Sequence, residues 1–340
     1  MVGAGFVAPI HAAGWLALES VEIAAITSRT RDKAEAVADE FSIAQVYNDV
    51  PAMLDDARPD VFDICAATAT HLPFIEMAAA RGIDVICQKP IAKDMATAEK
   101  IAAVAADTGI RLMVHENFRF RPWYREIRNQ LASGIIGKPY YCRSDGRMPG
   151  TVTTKDHPIT PFSLNRQAFF TDLERFLILE SVIHQIDVCR YLFGDVNRVY
   201  ARARRVSPHV KGEDLATLVL DFDGLHAVVE RNYGARGQPA PPMVTELMVI
   251  EGELGALFVE LDGTIRIEID TPERRETLRP NVDLLDAYPR SYGAAIRHFV
   301  ENYRAGTPFE TDIADNLKTL AVTLAAYDSV ETGDAVGLDA

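Results

Sequence analysis

Three ionisable residues, Glu180, His184 and Asp187, lie along one segment at a spacing that predicts a shared face of an α-helix. Apolar residues of the same segment occupy the opposite face. A histidine near a carboxylate can act as a general acid or base near neutral pH. Two alternatives are a stripe that faces solvent and a metal site, because all three residue types bind metals. We favour acid–base chemistry and expect no bound metal, since the chain supplies no clear fourth ligand.

A lysine, Lys89, follows a short apolar run that ends in Cys87 and Gln88. The run predicts a strand of a parallel sheet, and ligands bind at the carboxyl ends of such strands. A lysine at that edge can donate a hydrogen bond to a substrate oxygen or relay its proton. The alternative is a surface lysine at a turn, which is the usual place for this residue type.

A glycine-rich loop opens the chain, where Gly3–Ala8 has the spacing GxGxx[G/A] and a helix is predicted to begin near Pro9. Glycines allow the tight turn and the close approach of a pyrophosphate, and the helix N-terminus supplies free N–H groups. We therefore predict that Gly3, Gly5, Phe6 and Val7 contact a dinucleotide. Only two residues precede the loop, so we expect its leading strand to be clipped.

The end of the second predicted strand bears on which dinucleotide binds. An acidic residue there binds the ribose of NAD, whereas a nearby arginine accommodates the 2′-phosphate of NADP. The chain has Ser28 and Arg29 at this point and no acidic residue before Asp32. This favours NADP(H). NAD(H) stays an alternative because an arginine can also stack on adenine, and a charged turn that faces solvent is a third interpretation.

Short apolar runs alternate with helical patterns through the first third of the chain. This alternation predicts βαβ units and a parallel sheet covered on both faces. After residue 118 a helix, an irregular stretch, a second strong helix and a series of two-periodic runs predict a large, mainly antiparallel sheet. The strands predicted in the first part are Val21–Ser28, Ile43–Tyr47, Val61–Ala66, Asp84–Cys87 and Arg111–His115.

Composition excludes several classes of protein. The net charge is -14 over 340 residues, which argues against binding to nucleic acids or to anionic membranes. No apolar run is long enough for a membrane span, and no signal peptide is recognisable. The four cysteines are far apart in sequence and predict free thiols in a reducing compartment. We therefore expect a cytoplasmic protein.

Taken in order along the chain, three motifs resemble the Gfo/Idh/MocA family of glucose-fructose oxidoreductase and inositol dehydrogenase relatives. They are the glycine loop with His11 downstream, Thr68–His71 followed by Gln88–Pro90, and Glu180–Asp187. The resemblance covers nearly the whole chain. It implies an α/β fold with an N-terminal Rossmann domain over 1–118. A C-terminal α/β domain over 119–340 would carry an open, mainly antiparallel sheet that forms a homo-oligomer, a dimer or tetramer, with its last helices packing back towards the first domain.

The same resemblance implies roles for particular residues. Lys89 matches the family's catalytic lysine and His184 its catalytic histidine. Thr68, His71 and Gln88 match positions near the cofactor, although His71 fits a helix cap equally well. Gln88 replaces the usual glutamate of the family, which removes a negative charge beside Lys89 and the nicotinamide. A glutamate at residue 180 replaces the common aspartate.

Residues that could touch substrate complete the hypothesis. Asn117 and Arg119 follow the last strand of the first domain, and Arg166 lies in a long irregular segment, Met148–Asp172, of a kind that is often functional. With Glu180 and Asp187, they form the predicted substrate-binding set. We expect an oxidoreductase that moves a hydride between NAD(P) and a carbon of a sugar or polyol. A non-catalytic sensor on the same fold is the alternative.

Overall fold

The computed structural model describes residues 1–237, 246–270, 275–278 and 284–338. The chain divides into two compact units. The first unit consists of Met1–Asn117 and Pro289–Leu320, and the second unit of Phe118–Tyr288 and Ala321–Ala340. A segment near the C-terminus therefore belongs to the same unit as the glycine loop.

The first unit alternates strands and helices, as its sequence predicts. Strand β3 pairs with β4 and β4 with β5, all parallel, and β1 pairs with β2 in the same sense. Aspartates 49 and 94 accept backbone hydrogen bonds at the starts of α3 and α5 and so cap them. The elements are α1 Ala8–Leu16, β1 Ile26–Thr27, α2 Arg31–Phe41, β2 Val46–Tyr47, α3 Val50–Ala57, β3 Val61–Ile64, α4 His71–Ala79, β4 Asp84–Gln88, α5 Met95–Thr108 and β5 Leu112–His115.

The residues before the glycine loop form single bridges. Val2 bridges in parallel to Thr27 on one side and to Ile64 on the other. It thus joins the pair β1–β2 to the three strands β3–β4–β5. Strands β1 and β2 have two residues each and are shorter than predicted.

The C-terminal segment is attached beside β5. The hydroxyl of Thr311 donates to the carbonyl oxygen of Val114, and the amide of Val114 donates to the carbonyl of Thr311. The guanidinium of Arg111 donates to the carbonyl oxygens of Asn302, Tyr303 and Thr307. It also lies over the ring of Phe309, 4.2 Å from the ring centre. These bonds explain why this distant stretch of sequence folds with the first unit.

The second unit contains a large sheet. Over the described residues nine strands follow the order β13-β12-β11-β10-β6-β9-β8-β7-β14. The pair β6–β9 is parallel and the other pairs are antiparallel, which confirms the predicted mainly antiparallel sheet. The elements are α6 Pro122–Ala132, β6 Pro139–Arg147, α7 Phe162–Arg166, α8 Ile183–Phe193, β7 Arg198–Arg204, β8 Leu215–Phe222, β9 Leu225–Asn232, β10 Leu247–Gly252, β11 Gly255–Val259, β12 Ile265–Ile269, β13 Arg275–Leu278, α9 Leu284–Ala305, α10 Ile313–Thr332 and β14 Val336–Gly337.

The sequence did not predict β6, although this strand lies at the centre of the order. Its buried positions hold Cys142, Ser144 and Gly146, which are small and only weakly apolar. A strand whose inward side chains are this small lacks the two-periodic apolar signal. The small side chains leave room for Arg231 of the neighbouring strand, because a Cβ atom at residue 146 would overlap the Arg231 guanidinium.

The two faces of the sheet differ. Helix α8 packs against β9 on the face that carries the buried residues, such as Ala227 and Val229. The opposite face carries half-buried apolar and charged residues. Among the helices of the described residues, none is long and apolar enough to cross a membrane.

Candidate active site

The glycine loop has the geometry that a dinucleotide needs. Gly3 has φ +99°, and a Cβ atom there would lie 2.5 Å from the carbonyl oxygen of Cys65, so only glycine fits. No atom of the described residues lies within 4 Å of the position that a Cβ of Gly5 would take, which leaves space for a ligand to approach the backbone. Helix α1 begins after Val7 with Pro9 in its first turn and without a side-chain cap. The loop therefore fits a pyrophosphate at the helix N-terminus.

Lys89 directly follows the last residue of β4. Gln88 is 6% exposed and Lys89 is half-buried, and the Lys89–Pro90 peptide bond is cis. In a parallel sheet this carboxyl edge is where ligands bind. The structure thus places Lys89 and Gln88 at the end of the central strand of the β3–β4–β5 group.

Buried polar residues surround Gln88. The side-chain nitrogen of Gln88 lies 2.7 Å from Nε2 of His11 and 3.3 Å from Nδ1 of His115. On its other side His11 is bonded through Nδ1 to the carboxylate of Asp63, at 3.0 Å. His11 is completely buried, and its ring is part of a chain of polar contacts that the sequence did not reveal.

A threonine lies between β3 and α4, and a histidine is the first residue of α4. His71 is 1% exposed, and its two ring nitrogens lie 3.1 Å from the carbonyl oxygen of Ile91 and 3.2 Å from that of Ala66. The ring therefore ties the segment after β3 to the segment after β4, and no side-chain cap of α4 is formed. Thr68 begins a 3-10 turn in the same connection and is half-buried.

The helical segment that carries Glu180, His184 and Asp187 is not a regular α-helix. Residues Ile178–Val182 form a π-helical turn, and α8 begins only at Ile183. The prediction of one regular α-helix is therefore wrong over residues 178–182. The alternative of a solvent-facing stripe is also wrong: His184 is 7% exposed and Asp187 is fully buried, while Glu180 is half-buried. Single π turns inside helices occur frequently at functional sites.

The imidazole of His184 is held by an aromatic ring. It stacks on Phe118 with 4.0 Å between ring centres and 4° between planes. The guanidinium of Arg121 lies 3.4 Å from the centre of the same Phe118 ring. Two planar groups this near to one ring centre cannot share a face, so Phe118 lies between His184 and Arg121. Stacking fixes the orientation of the imidazole plane.

Arg121 belongs to a buried charge cluster centred on Glu246. The carboxylate accepts hydrogen bonds from Tyr124 at 2.6 Å and from Arg231 at 2.8 Å, and Arg121 lies 3.6 Å away. Burial opposes ionisation of Glu246, but the two arginines and the bond from Tyr124 outweigh it and lower its pKa to about 2. The cluster stays charged and stabilises the position of Arg121 behind Phe118.

The remaining predicted residues have the following places. Arg119 is 4% exposed and donates to both oxygens of Asp187, at 2.8 and 2.5 Å. Asn117 is buried and donates to the hydroxyl of Ser291 at 2.7 Å. Arg166 contacts Gln167 and lies 5.6 Å from the Phe162 ring centre. The Arg119–Asp187 pair lies one turn from His184, and a contact of these residues with substrate stays a prediction.

Two residues that the sequence did not single out cap the helix of His184. The Glu213 side chain accepts from the amides of Phe176 and Ile178, while its backbone carbonyl accepts from Leu177. The hydroxyl of Tyr327 accepts from the amide of Leu179 and donates to Glu213. Four N–H groups at the helix start are thus satisfied, and a carboxylate there also favours the helix dipole. An acidic residue far away in sequence gives no local capping signal.

Comparison with known proteins agrees with this geometry. A model of the oxidoreductase family with an NAD-binding Rossmann fold, GFO/IDH/MocA, matches residues 1–116, and a model of the GFO/IDH/MocA C-terminal domain matches residues 124–258. The chain is 32% identical to a D-apiose dehydrogenase of Rhizobium rhizogenes over all of this chain and 97% of that protein. A D-apiose dehydrogenase of Paraburkholderia graminis is also 32% identical, over 99% of this chain and 88% of that protein.

A solved structure supports the same assignment. An oxidoreductase from Agrobacterium radiobacter, in complex with NAD+, L-tartaric acid and magnesium, is 31% identical and superposes with a TM-score of 0.91 over 99% of this chain and 96% of that one. Fold and relatives define an NAD(P)-dependent dehydrogenase with a Rossmann domain. The chain belongs to the GFO/IDH/MocA oxidoreductase family, as its motifs predict.

The Glu246 cluster leads to a prediction about stability. Glu246→Gln removes the negative charge that faces both Arg121 and Arg231, and uncompensated buried charges cost about 3–5 kcal/mol of unfolding free energy. Because the native pKa of Glu246 lies near 2 and its ordinary value is 4.5, its contribution is present above pH 4.5 and is lost as the pH falls towards 2. We expect the variant to lose stability at neutral pH and to show a flatter pH dependence in this acidic window.

Chemical denaturation at a series of pH values measures both effects. Glu251→Gln is the matched control, because Glu251 lies on β10, the strand that follows Glu246, and is half-buried. Its change should stay within about 0.5 kcal/mol. Equal losses of unfolding free energy in the two variants would show that the Glu246 cluster contributes no more to stability than an ordinary surface residue.

Proposed function

We propose that this protein oxidises a hydroxyl group of a sugar or related polyol, or reduces the corresponding carbonyl, with Lys89 and His184 as its catalytic residues. The observation that carries the proposal is the position of Lys89 at the carboxyl end of β4, in the sheet that also carries the glycine loop. The D-apiose dehydrogenase relatives support a polyhydroxylated substrate.

The two residues would divide the acid–base work. The ammonium or amine of Lys89 stabilises the reacting oxygen or takes its proton, and the imidazole of His184 acts as partner acid or base. Phe118 holds that imidazole in one plane. The nicotinamide, when bound, accepts or supplies the hydride at its C4 atom. Glu180, Asn117, Arg119 and Arg166 are the proposed contacts to substrate hydroxyls, and the pairing of Arg119 with Asp187 orients its guanidinium.

Replacing either catalytic residue should remove turnover. Lys89→Ala and His184→Asn should each lower kcat by about 10²-fold or more, the usual scale for acid–base catalysis. Cofactor binding should persist in both variants, because the glycine loop is unchanged. NAD(P)H absorbance during incubation with a panel of aldoses and polyols measures turnover, and fluorescence titration measures cofactor binding.

A nearby exposed lysine supplies the control. Lys93→Ala removes the same charge four residues further along the chain and should keep full activity. A Lys89→Ala enzyme that keeps more than about a tenth of kcat loses less than roughly 1.4 kcal/mol of barrier lowering and excludes a catalytic role. Binding of sugars by the wild type without any turnover would favour the sensor instead.

We propose in addition that the enzyme prefers NADP(H) to NAD(H). The Agrobacterium radiobacter relative, in contrast, is in complex with NAD+. Arg29 follows β1, is exposed, and has no hydrogen-bond or ion-pair partner among the residues that the structure describes. Its neighbour Arg31 is held by Glu35 and Asn48. The guanidinium of Arg29 thus stays available for a 2′-phosphate at the strand end where the adenosine ribose binds in Rossmann folds.

Arg29→Asp should therefore reverse the cofactor preference. A carboxylate repels the 2′-phosphate of NADP and accepts hydrogen bonds from the ribose hydroxyls of NAD. Dissociation constants for both cofactors measure the effect. Lys100→Asp makes the same change of charge on the exposed side of α5 and should leave the preference unaltered. Tighter binding of NAD(H) than NADP(H) by the wild type contradicts the proposal.

We further propose that the protein forms a homo-oligomer through the face of the nine-stranded sheet that lies opposite α8. One row of paired residues crosses five strands on this face: Val219, Val228, Arg143, Val249 and Phe258. The apolar members are half-buried in the single chain, and Arg143 is neutralised by Glu230. A row that is apolar apart from one paired charge suits a self-complementary interface about a two-fold axis.

Val219→Asp should weaken this assembly, because it places a carboxylate beside Val228 in the apolar row. Light scattering coupled to gel filtration should give a dimer or tetramer for the wild type and a smaller species for the variant. Leu261→Asp, at an exposed residue outside the strands, is the control and should assemble normally. A monomeric wild type would refute the interface.

We also propose a cytoplasmic location. All four cysteines are buried and free, as expected for a protein that folds where thiols stay reduced.

A further inference from the structure

A carboxylate is buried inside the parallel sheet of the first unit. Asp63 lies on β3 and is 3% exposed. The indole N–H of Trp15 donates to it at 2.7 Å, and Nδ1 of His11 lies 3.1 and 3.0 Å from its two oxygens. Burial opposes ionisation, but the hydrogen bonds from His11 and Trp15 stabilise the anion and hold the pKa of Asp63 below its ordinary value. Asp63 is therefore an anion that can only accept hydrogen bonds.

The cluster of His11, Asp63 and Cys65 has residue types that bind metals, but its hydrogens argue against an ion. Trp15 directs its N–H at the carboxylate, and the thiol of Cys65 lies 3.5 Å from the other oxygen. Burial, and then the charge of Asp63, raise the pKa of this thiol, so it keeps its proton. A cation would need both donors to turn away. The cluster is a hydrogen-bond network.

The anion determines where the protons of the network lie. Because Asp63 only accepts, Nδ1 of His11 carries a hydrogen. In a neutral ring Nε2 then has a lone pair, which must face a donor. The Gln88 amide nitrogen meets it at 2.7 Å, and the second amide hydrogen faces Nδ1 of His115. Burial lowers the pKa of His115, so this ring is neutral and its Nδ1 can accept.

We propose that Asp63, acting through His11, is a positioning residue for Gln88 and the adjoining Lys89. The hydrogen-bonded series Asp63–His11–Gln88 contains one anion, Asp63, which contacts Nδ1 of His11. Residue 88 contacts the other ring nitrogen, Nε2, as a neutral donor. This proposal rests on the proposed role of Lys89. It explains why an acidic residue lies within an otherwise apolar strand and why an amide precedes the lysine.

The series has an acid, Asp63, at one end and an amide, Gln88, at the other. We therefore expect that exchanging the acid and the amide restores activity that either single substitution removes. Gln88→Glu alone places acids on both sides of His11, which forces the ring to carry two protons. Asp63→Asn alone leaves no anion. The double variant Asp63→Asn with Gln88→Glu restores one acid and one amide in the opposite order. An asparagine at position 63 can still accept from Trp15 and can donate to His11.

We expect each single variant to lower kcat by about tenfold or more and the double variant to recover to within about threefold of wild type, which is strong coupling between two sites in one network. Adding Asp63→Asn to Gln88→Glu thus improves the enzyme, although it harms the wild type. Asp84→Asn is the matched control on the same sheet, where Asp84 accepts from the amide of Arg111. It should not rescue Gln88→Glu. Losses that add in the double variant would overturn the proposal.

A second measurement is independent of turnover. Nitrogen-15 NMR of histidine-labelled protein reports which ring nitrogens are protonated. His11 should carry its proton on Nδ1 in the wild type, on both nitrogens in Gln88→Glu, and on Nε2 in the double variant. A wild-type His11 that is protonated on Nε2, alone or with Nδ1, would overturn the proposal even if every variant folded poorly. Because this NMR measurement needs no activity, failure of the proposed catalytic role of Lys89 would be recognised separately, by an active Lys89→Ala enzyme.

Discussion

The second unit depends on one requirement, that the buried charge of Glu246 be matched by partners. A carboxylate removed from water is stable only with opposite charges and hydrogen bonds around it. Tyr124 comes from α6, Arg231 from β9, and Arg121 from the segment before α6. The same Arg121 supports Phe118, on which His184 stacks. The orientation of the proposed catalytic imidazole is therefore linked to an ion cluster two layers behind it.

The helix that carries His184 also depends on partners that are distant in sequence. Its first N–H groups are satisfied by Glu213 and Tyr327, which are distant in sequence. A wide π turn follows immediately, so this helix would begin irregularly without external partners. The helix start is thus fixed by tertiary contacts, and local propensity contributes little. In the first unit, Asp63 and His11 organise buried polar atoms in the same way.

Features set by residues close together in sequence could be predicted, and features set by residues far apart in sequence could not. The alternating elements of the first unit, the glycine loop and the mainly antiparallel sheet were recognisable because local periodicity and glycine chemistry determine them. Strand β6 was missed because small residues face inward to admit Arg231. The π turn, the capping by Glu213 and the network around Asp63 were missed because each depends on partners far along the chain. Asp63 did leave one sign, an acidic residue within an apolar run.

The contact between Gly146 and Arg231 has a consequence for the history of the sequence. The two residues face each other across the parallel pair of strands, and the guanidinium occupies the volume that any larger side chain at 146 would need. Arg231 in turn is needed by Glu246. Substitutions at these three positions should therefore occur together during evolution. In a related chain, we expect a bulkier residue at 146 to be accompanied by loss of the arginine at 231 and of the acid at 246.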